Sequence, residues 1–197
     1  GFYVIFVPLI GLFFKHRYSF VTWFGGGLAL IGLGLLSGFE LEQVSNGQWL
    51  SSDGTNGDAL ALLGAIFWAI HLLAATYLVT RHNQYVLALY QFLFCAFLSL
   101  CANLSFEAQL LATDNAGYLW ALVNGVIVVG VAYTLQIVAL KYTDPFVASV
   151  ILSLEAVFGA VSGYWVFQEI LGLDGLVGAG LMLVGCILAQ WPEEKNK

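Results

Sequence analysis

The sequence predicts an all-α membrane protein, and two observations indicate this fold class. Of the 197 residues, 60% are hydrophobic and only 9% are charged, whereas ordinary soluble domains are roughly 25% charged. Apolar segments close to the ~20 residues that a helix needs to cross a bilayer recur along the whole chain. The lipid bilayer is therefore the expected partner of its surface. The six basic residues are too few for a nucleic-acid interface.

Hydropathy and turn-forming residues divide the chain into seven predicted transmembrane helices. In chain order they are Gly1–Phe14, Phe20–Gly38, Asp58–Thr80, Tyr85–Ser105, Tyr118–Lys141, Pro145–Phe167 and Leu171–Gln190. The third helix follows the turn cluster DGTNGD, the fifth follows TDNAG, and TDP places Pro145 at the first position of the sixth. The Phe39–Gly57 connection is long, and its Gln, Asn, Ser and Gly content is typical of a solvated loop.

The basic residues predict the orientation of these helices. They follow the first, third, fifth and seventh helices, as Lys15, Arg17, Arg81, Lys141, Lys195 and Lys197. Cytoplasmic loops carry an excess of Lys and Arg, so we expect these ends on the cytoplasmic side of the cell (inner) membrane. The C-terminus is then cytoplasmic and the Phe39–Gly57 loop extracytoplasmic.

A weak internal repeat relates the second and the last predicted helices. A shift of 153 residues places Phe14–Gly32 on Phe167–Gly185. The repeated glycines are Gly25, Gly27 and Gly32 in the first copy and Gly178, Gly180 and Gly185 in the second. An odd number of helices per copy inserts the two copies with opposite orientations, as in inverted-repeat transporters. The first helix, with 14 residues, spans only ~21 Å at ~1.5 Å per residue. We therefore expect about three further helices before Gly1 in the complete protein.

Ala59–Gln190 resembles the EamA-type unit of the drug/metabolite transporter superfamily. The segments that carry the resemblance are LALLGAIFWAIHLLAATYLV, VAYTLQIVALKYTDPFVASVILSLEAVFGAVSGYWVFQEI and GLVGAGLMLVGCILA. The resemblance implies ten helices in two inverted five-helix units, and family members export or exchange small metabolites. It implies that residues 1–38 end the first unit, 39–57 form a loop, 58–191 form the second unit and 192–197 form a tail. Where the second unit has Glu169, the first has His16.

Five residues inside the predicted helices are candidate substrate contacts: Trp68, His71, Tyr133, Gln136 and Glu155. Trp68 and His71 are three positions apart on one helix face, and so are Tyr133 and Gln136. The alternatives are structural: an imidazole bonded to a neighbouring carbonyl, and polar contacts between helices. Asn124 lies nine positions before Tyr133, about half a turn round the helix at ~100° per residue, so we expect it to face another side and to pack between helices.

Glu155 is the polar residue that most needs an explanation. It lies ten residues beyond Pro145, ~15 Å into a ~30 Å hydrocarbon core, and His71 lies at a similar depth. No Lys or Arg lies within the apolar segments, and an unpaired charge there costs on the order of a few kcal/mol. Glu155 therefore either faces a hydrated cavity or is buried in its protonated form. We expect the cavity, near His71, where Glu155 binds a cationic group or carries a coupling proton; the alternative is a protonated contact between helices.

The sequence predicts a secondary transporter of small metabolites, with a non-transporting scaffold or an intramembrane enzyme as alternatives. No GxxxxGK occurs, so direct use of ATP is not supported, and neither HExxH nor GxSxG occurs. We therefore expect no enzyme activity. The chain shows no metal-ligand spacing, so we expect no metal or cofactor, and Cys95, Cys101 and Cys186 to be packing residues.

Two GxxxG motifs, Gly34 with Gly38 and Gly159 with Gly163, predict close internal packing. A homodimer interface is the alternative for these motifs.

Overall fold

The computed structural model describes residues 1–14, 18–37, 55–106, 115–168 and 171–191. Over these ranges the backbone forms helices and turns and contains no β-strand, which confirms the all-α class. The helices are α1 (Tyr3–Phe13), α2 (Phe20–Leu36), α3 (Thr55–Val79), α4 (Gln84–Phe106), α5 (Asn115–Val123), α6 (Thr134–Leu140), α7 (Pro145–Ser153), α8 (Glu155–Phe167) and α9 (Leu173–Ala189). A π-helical segment, Asn124–Tyr133, joins α5 to α6.

Four helical stretches are long and apolar enough to cross a membrane. They are Leu60–Val79, Gln84–Ser105, Gly117–Leu140 and Pro145–Phe167, and α1, α2 and α9 are shorter apolar helices. Each predicted helix is therefore found, and the chain is a multi-pass membrane protein. The Phe39–Gly57 loop up to residue 54, and also His16 and Glu169, lie outside the described residues.

The starts of two helices are determined by capping side chains. Ser19 precedes α2, and its hydroxyl accepts a hydrogen bond from the Val21 N–H at 3.1 Å. Asp144 precedes α7, and its carboxylate accepts from the Phe146 N–H at 2.9 Å. Each side chain satisfies an N–H that has no partner within its own helix. Pro145 follows at the first position of α7, as predicted, where its missing N–H and fixed φ do no harm.

The chain forms two compact units, the first from Gly1–Leu73 and Asp144–Lys197, the second from Ala74–Thr143. In the second unit α4 packs on α6. The fully buried side chains there include Val79, Ala88, Ile137 and Leu140. Most other side chains of α4 and α5 are exposed, as expected of helix surfaces that face lipid.

The first unit is built around the pair α2 and α9. Gly25 lies so close to α9 that an added Cβ would be 2.6 Å from the Gly185 carbonyl oxygen, and a Cβ on Gly185 would be 2.5 Å from the Gly25 oxygen. Gly32 and Gly178 make the same reciprocal approach, at 2.5 and 2.6 Å. The earlier glycine of α2 meets the later one of α9, so the two helices are antiparallel and their backbones touch at two points.

The two GxxxG motifs do not provide this packing. A Cβ at Gly34 or Gly159 would meet nothing within 4 Å, so the prediction of close packing is wrong at these positions. Gly163 is buried, and Gly38 lies outside the described residues. The close contact uses glycines seven positions apart on each helix rather than four.

Candidate functional site

The predicted sixth helix is interrupted in its middle. α7 ends at Ser153, α8 begins at Glu155, and Leu154 lies between them with a ψ of −12°. The Leu154 N–H donates to the Ile151 carbonyl at 3.1 Å, three residues back, which is the tighter 3₁₀ pattern. The hydroxyls of Ser149 and Ser153 each donate to the carbonyl three residues earlier, at 2.7 Å. Such back-bonding accompanies helix bends.

The two halves of this helix differ in burial. In α7 the buried residues are Pro145, Phe146, Ala148, Ser149, Val150 and Ser153. α7 packs against α1, α2 and α9. In α8 only Gly163 is buried, and Glu155 is exposed at the first position. The break therefore separates an anchored half-helix from an exposed one and places the carboxylate at the joint.

Two aromatic side chains, Tyr3 and Trp68, lie between Glu155 and His71. The Glu155 carboxylate interacts electrostatically with the hydroxyl of Tyr3, on α1, which is 6% exposed. The Tyr3 ring lies 6.4 Å from the Trp68 ring, and the Trp68 ring lies 5.4 Å from the His71 imidazole. We call Tyr3, Trp68, His71 and Glu155 the mid-membrane cluster. Trp68 and His71 share a face, as predicted, and in the sequence of ring contacts the Tyr3 ring follows the Trp68 ring on the side away from His71.

Tyr3 was not among the predicted site residues. It lies in the short apolar run GFYVIFV, where a lone hydroxyl was the available signal. Trp68 and His71 are both half-buried, so part of each ring is accessible beside the Tyr3 ring. The cluster thus offers a carboxylate, a phenol, an indole and an imidazole, which suit a small polar or amphipathic ligand.

A second aromatic group fixes the start of α7. The ring of Phe146, 1% exposed, lies 5.0 Å from the Tyr18 ring and 5.2 Å from the Trp23 ring. The Phe146 ring fills a notch at Gly26, where an added Cβ would be 2.6 Å from it. Burial raises the pKa of the Tyr18 hydroxyl above its ordinary value, and the Asp144 carboxylate raises that pKa further. This packing holds α7 in place, and with it the break before Glu155.

Tyr133 and Gln136, the other two predicted contacts, belong to the second unit and are both half-buried. Tyr133 ends the π-helical segment that begins at Asn124. Hydrogen bonds from i to i+5 give between four and five residues per turn, so nine positions make about two full turns. Asn124 and Tyr133 therefore lie on nearly the same face, and the prediction that they face apart is wrong.

Metal ligands and thiols give no second site in the described ranges. No group of three or more His, Cys, Asp or Glu residues lies together there. Cys186 is buried, as predicted for a packing residue, and its Sγ lies 3.2 Å from the Gln190 amide nitrogen. Cys95 and Cys101 are exposed, which corrects the same prediction for these two.

Comparison with known proteins gives two matches. A model of the EamA-like transporter family matches residues 55–191. An uncharacterized transporter of Haemophilus influenzae is 29% identical over 130 residues, which cover 66% of this chain and 42% of that protein. The chain thus aligns with less than half of its curated relative. No solved structure matches it.

Proposed function

The chain belongs to the EamA-like transporter family, and from this premise we propose that it acts in a secondary transporter for small metabolites. The proposed transporter exports or exchanges its substrates across the cell (inner) membrane by alternating access. The C-terminus is proposed to be cytoplasmic, on the side that carries the basic residues. A transporter rather than an enzyme is also what the family and the curated relative favour.

The observation that carries the proposal is the helix break at Glu155. Interrupted backbone is tolerated at membrane depth where it is buried in protein or lines a water-filled cavity. Leu154 is half-buried and Glu155 is exposed, on a helix otherwise rich in apolar residues. In transporters, discontinuous helices form substrate sites near the bilayer midplane; here the irregularity is a single tighter turn, with Leu154 still in the right-handed helical region. A purely structural helix pair would gain nothing from a carboxylate at such a joint.

The mid-membrane cluster is proposed as a substrate site. Glu155 supplies charge, Tyr3 and Trp68 supply aromatic walls, and His71 supplies a hydrogen-bonding group of either kind. Tyr133 and Gln136 stay predicted substrate contacts. Proton coupling and a homodimer are also part of the proposal; flux with and without a pH gradient tests the first, and cross-linking in liposomes tests the second.

The proposed architecture consists of two inverted units, the first ending at residue 38 and the second covering 58–191. The glycine contacts of α2 and α9 support this arrangement. The repeat equates Gly25 with Gly178 and Gly32 with Gly185. If each glycine is exchanged for its equivalent in the other copy, the Gly25–Gly185 contact becomes the Gly178–Gly32 contact. An inverted repeat produces such reciprocal pairs.

Flux measurements on the full-length protein test the proposed function. Proteoliposomes are loaded with a mixture of labelled metabolites, and counterflow identifies those that exchange. Trp68→Ala should abolish most flux, whereas Trp165→Ala makes the same change at a residue 76% exposed and outside the cluster. Gel filtration confirms that both variants are folded. Absence of flux for every metabolite, or equal flux in the two variants, would favour a scaffold without a substrate site.

A further inference from the structure

We propose that a basic patch at one end of the second unit binds the headgroups of anionic phospholipids. The patch consists of Arg81 and His82, in the turn between α3 and α4, and Lys141, directly after α6. All three side chains are exposed, and they lie on the side of the membrane that is proposed to be cytoplasmic. The inference does not depend on the proposed function, since it concerns a surface outside the mid-membrane cluster.

The packing of α4 on α6 brings the two turns of the basic patch to the same end of the unit. α4 begins at Gln84, directly after the first turn, and α6 ends at Leu140, directly before Lys141. Ala88, near the start of α4, is 2% exposed, and Ile137 and Leu140 in α6 are 1% and 2% exposed, as side chains between packed helices should be. Packed helices have axes about 8–10 Å apart. The two turns are therefore about one helix diameter from each other.

A tyrosine ring holds two of the three basic side chains. The Arg81 guanidinium carbon lies 4.0 Å from the centre of the Tyr77 ring, and the Lys141 Nζ lies 5.8 Å from the centre of the Tyr142 ring. A ring stacked on a guanidinium covers one flat face and leaves the N–H donors, which point outwards in its plane, for a phosphate. Such a group binds a phosphate through two parallel hydrogen bonds. His82 adds at least one further N–H donor in either protonation state.

Acidic side chains do not balance this charge within the second unit. Its described residues, 74–106 and 115–143, contain no Asp or Glu. The next carboxylate along the chain, Asp144, begins the other unit and accepts a hydrogen bond from the Phe146 N–H at 2.9 Å. A basic patch without neighbouring acids attracts anions, and the hydrogen bonds that Arg and Lys donate to phosphate are among the strong ones.

The position of the basic patch favours a lipid among the possible anions. The patch lies at the ends of three membrane-spanning stretches, Leu60–Val79, Gln84–Ser105 and Gly117–Leu140. At the start of α4, Tyr85 is 60% exposed, and Val86 and Leu89 are 47% and 55% exposed. Tyrosine is common at the level of the headgroups, and basic groups between membrane helices on the cytoplasmic side bind anionic headgroups. The patch therefore fits a phospholipid with a negative headgroup whose acyl chains lie along α4.

Lipid titrations of the full-length protein test this assignment. Native mass spectrometry in detergent measures the dissociation constants of dioleoyl phosphatidylglycerol, which is anionic, and dioleoyl phosphatidylcholine, which has no net charge. We expect the parent protein to bind phosphatidylglycerol about tenfold or more tightly. Arg81→Gln and Lys141→Gln should each reduce this preference about three- to fivefold, and the double variant should remove it. The matched control is Lys195→Gln, the same change in the C-terminal tail and outside the patch, which should keep the preference.

A charge-preserving variant separates loss of binding from loss of folding. Lys141→Arg should keep the preference for phosphatidylglycerol, and gel filtration compares all variants with the parent protein. Equal binding of the two lipids by the parent, an unchanged preference in the double variant, or the same loss in Lys195→Gln would overturn the inference.

Two soluble competitors distinguish a lipid from other anions. Glycerol 3-phosphate and decaglutamate are added at the concentration of the lipid, and we expect neither to displace phosphatidylglycerol. Displacement by glycerol 3-phosphate would point to a soluble phosphate compound as the ligand, and displacement by decaglutamate to an acidic protein segment. Either result would overturn the assignment to lipid.

Discussion

Replacing one glycine of the α2–α9 contact should separate two helices that now touch through their backbones. A Cβ at Gly25 would lie 2.5 Å from the Ala189 nitrogen and 2.6 Å from the Gly185 oxygen. These distances are about 0.9 Å short of the 3.4 Å at which ordinary contact begins. Overpacking of this kind costs about 1–3 kcal/mol. Both opposing atoms belong to helical backbone that cannot rotate away, so we expect about 3 kcal/mol for Gly25→Ala.

The control is the same substitution two positions along. A Cβ at Gly27 would meet nothing within 4 Å, and the same holds for Gly180 on α9. Gly27→Ala should therefore be neutral, or stabilising by up to about 1 kcal/mol through the better helix propensity of alanine. The double variant Gly25→Ala with Gly185→Ala should lose less than the sum of the two single losses, because one separation relieves both clashes.

Cys186 provides the assay, since it is 5% exposed and adjacent to Gly185. In a background where Cys95 and Cys101 are replaced by serine, the rate of maleimide labelling of Cys186 reports how often the helices part. A loss of 3 kcal/mol should raise that rate on the order of 100-fold. Labelling of Gly25→Ala at the rate of Gly27→Ala would refute the reasoning, because it would show that the helices are not in backbone contact.

Four further outcomes are expected. Phe146→Ala should lower the free energy of unfolding by about 3–5 kcal/mol, because the Phe146 ring is 1% exposed and packs on two other rings. The control Phe158→Ala, at a residue 68% exposed, should change that free energy by about 0.5 kcal/mol or less. Thermal unfolding in detergent compares the two variants. Gln168→Gly should raise the unfolding free energy by about 1 kcal/mol, since Gln168 has a φ of 56°, and a lower melting temperature would contradict this. Tyr18→Phe should reduce the loss of stability at alkaline pH. Because the pKa of Tyr18 is raised in the folded protein, its hydroxyl contributes stability below the ordinary tyrosine pKa of about 10, and this contribution is lost as the pH rises above that value. The melting temperatures at about pH 8 and pH 11 should therefore differ less in the variant than in the parent protein. Ser51→Cys in the Phe39–Gly57 loop should react with an impermeant maleimide in intact cells, and protection from that reagent would reverse the proposed topology.

The helices could be predicted because a bilayer requires helices of a certain length and apolar composition, and both can be recognised in the hydropathy of the sequence. α3 begins at Thr55 and the seventh predicted helix ends within a residue or two of Ala189, close to the predicted positions. The break at Leu154 could not be predicted in the same way. The surrounding residues VILSLEAV contain neither Gly nor Pro, and each favours or tolerates a continuous helix. The interruption coincides with the hydroxyl hydrogen bonds of Ser149 and Ser153 to the carbonyls three residues earlier and with the end of the buried half, α7.

The π-helical segment shows the same limit. Between Asn124 and Tyr133 the segment consists of Val, Ile, Gly and Ala. Its hydropathy is the same as that of an apolar α-helix, so it predicts one continuous α-helix here. A change in hydrogen-bond register leaves composition unchanged but rotates every later side chain, which is why the predicted face of Asn124 was wrong. For the mid-membrane cluster, spacing identified Trp68 and His71 and depth identified Glu155. Tyr3 could not be identified from the sequence, because its place in the cluster depends on how α1 packs beside Trp68.

The break at Leu154 also determines how motion in α8 would be distributed. α8 has 13 residues and is therefore about 20 Å long. With α7 held in place, α8 would pivot at Leu154, directly before its first residue, Glu155. A rotation of about 15° around Leu154 would sweep the Phe167 end of this ~20 Å helix through about 5 Å, while the Glu155 backbone would move by well under 1 Å. The Glu155 carboxyl group would stay at one depth while the far end of α8 changed its distance from its neighbours, so a ligand bound beside Glu155 would not move with that end.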